Sequence, residues 1–180
     1  MIKPLLRQLQ QLSPDVRLIL AGLALICGFY LSLFVSVWGM LFLAVAVLLS
    51  WDALRYGSVW PAFDAFKRHQ LDQMGAYLLG IRWPSLLSPR SLAYYNWLKG
   101  VLDISAGRQA AAKVHLLAAA SGAIRTETDR SLIHCLLAEL AIQQAEPTVA
   151  ADHLRLAAAL SSQAQVRGMI TRLQARLDER

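Results

Sequence analysis

From position 18 to position 51 the chain runs for 34 residues without an Asp, Glu, Lys, Arg or His. About 20 apolar residues cross a hydrocarbon core of roughly 30 Å, whereas a single helix of that stretch would rise about 51 Å at about 1.5 Å per residue. A break at Ser36-Val37-Trp38-Gly39 divides the run into spans at 18–35 and 40–54, with Trp38 suited to a membrane interface and Gly39 to a tight turn. The pattern therefore predicts a transmembrane helical hairpin over 18–55; one long tilted span is the alternative. Ahead of it, Ile2, Leu5, Leu6, Leu9 and Leu12 fall at helical spacing opposite Lys3 and Arg7. That spacing predicts an interfacial N-terminal segment over 1–17, in which Ser13-Pro14-Asp15 caps the first span.

After Tyr56-Gly57-Ser58 the periodicity becomes that of amphipathic helices, with breaks at Trp83-Pro84-Ser85, Ser88-Pro89, Ser121-Gly122 and Glu146-Pro147. Shifting the sequence on itself by 38 aligns Ala62, Gly100 and Ala138, then Met74, Ala112 and Ala150, then Leu78, Leu116 and Leu154, then Ile81, Ala119 and Ala157. Three copies emerge over 56–163. Each predicts a first helix, at 59–68, 91–106 and 129–145, and a second, at 71–83, 108–121 and 148–161. The recurrent small residues stand where two antiparallel helices must approach closely. Stacked copies share one core and the last needs a cover. Val166, Ile170, Leu173 and Leu177 form the stripe of an amphipathic capping helix over 164–180. The expected fold is thus all-α: a hairpin, an α-solenoid of about three helix pairs, and a C-terminal capping helix.

Trp97-Leu98-Lys99-Gly100, then Gly107, Ala112, Leu116 and Ala119, resembles the tetratricopeptide repeat, as does Ala138, Ala145, Ala150, Leu154, Ala157 in the third copy. The resemblance covers about 58–160, with a period of 38 in place of about 34. It implies that the first helices line a concave groove, with Phe63 and Lys67, Tyr94, Trp97, Val101 and Ser105, and Cys135, Glu139 and Gln143 as the protein-binding positions. The groove lacks the cationic set by which some members clamp a C-terminal carboxylate. Its implied partner is an apolar or amphipathic helix of another protein.

Composition sharpens this picture. The chain has 180 residues, 56% of them hydrophobic and 17% charged, with a net charge of +6. The excess positive charge is spread along the chain, so no dense basic patch points to nucleic acid. Lys3, Arg7 and Arg17 before the apolar run, and Arg55, Lys67 and Arg68 after it, instead match the positive-inside signal of a cytoplasmic flank. Gly28, Ser32 and Ser36 follow the small-xxx-small spacing that lets helices pack closely in lipid. Cys27 and Cys135 have neither disulfide nor metal spacing. Phosphate loops, paired histidine–glutamate motifs and nucleophile elbows are missing, so no catalytic residue, cofactor, metal or small-molecule substrate is expected. His115 and His153, 38 residues apart, invite a metal reading, yet repeats reuse residue types and no Cys or carboxylate joins them. The sequence therefore predicts a multi-pass bacterial inner-membrane protein whose cytoplasmic repeats serve as an adaptor or scaffold for a protein partner. The alternative is a structural subunit or assembly factor of a larger envelope or secretion complex in the membrane.

Overall fold

The computed structural model describes residues 57–160 and 163–179, together with positions 19, 22, 23, 26, 29 and 44–47. Every regular element among the described residues is helical. The chain divides into two compact units, Met1–Ser91 and Leu92–Arg180.

In the first unit, helix α1 (Val59–Lys67) pairs with α2 (Leu71–Leu79). Val59, Ala62, Phe63 and Ala65 are buried on α1, and Met74 and Leu78 on α2. The Ser58 hydroxyl donates to the Tyr77 carbonyl, which ties the start of α1 to the end of α2. Beyond α2, one 3₁₀ turn (Pro84–Leu86) brings Leu87 into the core. Gly57 permits this closure, because it sits at φ +52° and a Cβ there would press to 3.2 Å from Leu87 Cδ2.

The second unit holds α3 (Pro89–Ser105, from Leu92 onward), α4 (Gln109–Ala120), α5 (Glu127–Gln143), α6 (Pro147–Leu160) and α7 (Ala164–Asp178). Local chemistry marks where these helices begin. Ser88 Oγ accepts the Ser91 N–H at 3.2 Å with Pro89 at the first helical position of α3. Thr126 Oγ1 accepts the Asp129 N–H at 3.0 Å at the head of α5. Packing between α3 and α4 is close at Gly100, where a Cβ would come to 2.7 Å from Leu116 Cγ. Between α5 and α6, Ser131 Oγ donates to the Ala157 carbonyl at 2.7 Å. Val166, Ile170 and Leu173 of α7 close one core with Cys135, Ala138 and Ile142 of α5 and Ala150, Leu154 and Ala157 of α6.

The helix boundaries fall within a few residues of those expected from the 38-residue shift, and the shift extends into backbone conformation. His69, Gly107 and Ala145, each 38 residues from the next, adopt left-handed φ of 59°, 72° and 56°. At each, the same two hydrogen bonds close the helix. The amide of His69 bonds to Phe66 O and that of Gln70 to Ala65 O; Gly107 and Arg108 bond to Ile104 O and Asp103 O; Ala145 and Glu146 bond to Ile142 O and Ala141 O. These are Schellman closures, which satisfy the last carbonyls of one helix and reverse the chain into the next. The aligned small and apolar positions are buried in all three copies, save Ile81, which is half-buried.

One expectation is corrected. Among the described residues no helix is long and apolar enough to cross a membrane, so neither the transmembrane hairpin at 18–55 nor a multi-pass inner-membrane location is upheld. The longest described helices, α3 and α5, have 17 residues each. They rise only about 26 Å at about 1.5 Å per residue, short of a core of roughly 30 Å, and carry Arg90, Lys99 and Asp103, and Glu127, Asp129, Arg130 and Glu139, respectively. The interfacial segment 1–17, most of 18–55, and Gly28, Ser32 and Ser36 lie outside the described residues.

Candidate interaction groove

The first helices of the repeats carry three rows of positions related by the 38-residue shift, each row four residues further along its helix. The row formed by Val59, Trp97 and Cys135 is fully buried. The next, Phe63, Val101 and Glu139, is buried at Phe63 and half-buried at the other two. In the last, Lys67, Ser105 and Gln143 are all exposed. Successive positions four residues apart lie on one helix face, so the face that enters the core at its N-terminal end reaches solvent at its C-terminal end.

This gradient sorts the expected groove residues. Trp97 and Cys135 are packing residues. Tyr94 is also buried; its ring lies 5.9 Å from that of Trp97, and its hydroxyl donates to Asp129 Oδ2 at 2.7 Å, bridging α3 to α5. Burial pushes the Cys135 thiol up to about 11, which keeps it protonated and unreactive at neutral pH. Of the expected groove positions in the second unit, Val101 and Ser105 on α3 and Glu139 and Gln143 on α5 are the ones left exposed or half-buried. Gln143 Oε1 accepts from Gln109 Nε2 at 2.9 Å, and Glu139 stands 3.4 Å from Arg176 Nη1 of α7. Phe63 and Lys67 belong to the first unit, where the Lys67 ammonium lies 4.4 Å from the centroid of the Phe63 ring, a cation–π contact.

Three polar arrangements were not anticipated from the sequence. Asp103 is buried in the last turn of α3, and its Oδ1 accepts from Arg108 Nη2 at 2.6 Å and Nε at 2.9 Å. Its Oδ2 stands 3.7 Å from His115 Nε2. Burial, with a smaller contribution from the Asp103 charge, raises the Tyr95 hydroxyl above its ordinary value. Lys113 Nζ of α4 reaches the turn between α5 and α6, with Glu146 Oε2 at 2.8 Å and Gln144 Oε1 at 3.2 Å. His134 and His153 bring their Nδ1 atoms to 3.2 Å. The repeat-related pair His115 and His153 thus has different partners in the two copies, Asp103 in one and His134 in the other. Among the described residues no group of three or more His, Cys, Asp or Glu is arranged to hold a metal ion.

The accessible groups at these four positions are amide, hydroxyl and carboxylate side chains beside one aliphatic residue. Compared with known proteins, the chain matches no protein-family model, no curated protein and no solved structure.

Proposed function

We propose that this chain is a tetratricopeptide-like repeat protein that works as an adaptor, holding a segment of a protein partner against the first helices of its repeats. The observation that carries this reading is the 38-residue recurrence of helix pair, left-handed turn and buried small residues. A chain built of such copies presents equivalent positions side by side, as stacked helical repeats do when they form a binding surface. In the second unit those positions are Val101 and Ser105 on α3 and their 38-residue counterparts Glu139 and Gln143 on α5. An amphipathic helix fits this surface best, its apolar side on Val101 and its polar side toward Ser105, Gln143 and Glu139. Trp97 and Tyr94 act indirectly, by fixing α3 against its neighbours.

The test is partner retention by surface variants that leave the core intact. Val101→Glu and Gln143→Arg in the full chain should release a co-purifying protein, while Val114→Glu on α4, at a residue 66% exposed, should keep it. Equal retention by all three variants would refute the groove.

A further inference from the structure

α5 and α6 are closed on one side by α7 and the shared apolar core; elsewhere along the pair two imidazoles meet. His134 on α5 and His153 on α6 place their Nδ1 atoms 3.2 Å apart with ring centroids 5.4 Å apart, and both rings are half-buried. Only one proton fits between the two nitrogens. In the neutral pair one Nδ1–H donates and the other Nδ1 accepts, and a first added proton still leaves a donor facing an acceptor. A second added proton leaves two N–H groups and two positive charges facing each other at that separation, with no acceptor between them.

Burial opposes that second proton at both rings, and the neighbouring charges divide. Arg130, one turn before His134 on α5, acts on His134, and Lys113 of α4 acts on His153. Asp152, next to His153 on α6, acts in the other direction. Both charges acting on His153 have partners of their own, Asp152 in Arg155 of α6 and Lys113 in Glu146; His115 of α4 stands by Asp103, Arg176 of α7 by Glu139, and Arg172 donates to the carbonyl of its own Gly168.

We propose that His134 and His153 form a proton-operated latch between α5 and α6, shut while the pair carries at most one extra proton and released when both rings are charged. Burial holds both imidazoles below the ordinary value of 6.5; at His134 the His153 ring and Arg130 add to it, while at His153 Asp152 works against it and Lys113, more weakly, with it. A histidine whose folded-state pKa is depressed contributes stability that is complete above pH 6.5 and is lost as pH falls through the folded value. Release therefore belongs below pH 6.5. The latch is a property of the helix pair and goes beyond the adaptor reading, on which it does not depend.

The experiment is an NMR titration of the imidazole Hε1 resonances in the full chain, run with amide hydrogen exchange at the same pH values. His134 and His153 should titrate below 6.5 in two coupled steps. The second step should bring roughly tenfold faster exchange in 131–136 and 150–156. His153→Asn keeps an acceptor near the Nδ1 position without a second charge and should abolish this acid-induced rise, while His115→Asn should leave it in place. Independent titration of either ring at or above 6.5 overturns the latch, as does an unchanged rise in the His153→Asn chain. The titration of the unaltered chain decides the matter even if that variant fails to fold.

Discussion

The two helix pairs of the second unit, α3/α4 and α5/α6, share one register and solve the same packing problem with different residues. At the buried position of the first helix one has Trp97 and the other Cys135; three residues on, one has Gly100 and the other Ala138. Volume is traded along the helix. The large indole is accompanied by the residue with no side chain, and the small thiol by one with a methyl group. Polar residues diverge further. Asp103 is buried and needs Arg108, whereas its counterpart Ala141 is buried and needs no partner. The counterpart of Arg108 is Glu146, which takes Lys113 from the neighbouring pair. The repeat is thus defined by rows of small and apolar positions and by its turns, and charges are free to be arranged copy by copy.

Substitutions that exchange residues between the copies test this trade. The largest effect is expected for Trp97→Ala, at about 3–5 kcal/mol in urea unfolding, with Cys135→Ala at the matching position costing far less. Equal costs would show that the indole is not core. Gly100→Ala, which installs the residue of the third copy, should cost about 1–3 kcal/mol, because its methyl group must displace Leu116. Ala138→Gly should lose only about 1 kcal/mol through backbone entropy. If Gly100→Ala is neutral, the close approach of α3 to α4 is not what selects glycine there.

The buried carboxylate gives an asymmetric pair. Arg108→Ala strands Asp103 without its guanidinium and should cost about 1–2 kcal/mol, a value reduced because the arginine is largely exposed. Asp103→Ala, which copies the third repeat, should cost less than about 1 kcal/mol. Thermal midpoints in the reverse order would mean that the pair holds the α3–α4 turn together. The smallest effects belong to the turns. Ala145→Gly should stabilise by about 0.5–1 kcal/mol and Gly107→Ala should destabilise by about as much, since both sites require a left-handed backbone that costs an L-residue about 1 kcal/mol or more. No atom lies within 4 Å of a Cβ built at Gly107, so that difference isolates backbone conformation.

Much of this architecture is legible in residue order because helix periodicity and the demand for small side chains at close crossings act locally. Ala62, Gly100 and Ala138 announce their places without reference to the rest of the chain. The left-handed turns are half legible: Gly107 signals one, but His69 and Ala145 adopt the same conformation because Schellman hydrogen bonds impose it on whichever residue follows the helix. Burial along the first helices was the least legible. The 38-residue register places Tyr94 and Trp97 on the first helix of their pair but does not say how deep α3 sinks among its neighbours, and both turn out to be buried. His134 and His153, 19 residues apart on facing helices, share no periodic relation that could have paired them.

Read alone, the chain establishes its helix pairs, their 38-residue period and its cover helix, because each follows from short-range geometry repeated along one strand of sequence. Packing in three dimensions settled the rest: which aromatic residues fill the core, which carboxylate is buried against which arginine, and which imidazoles meet. Those outcomes depend on the distance between helices and on what neighbouring helices offer, and that is decided by the whole unit closing on its core.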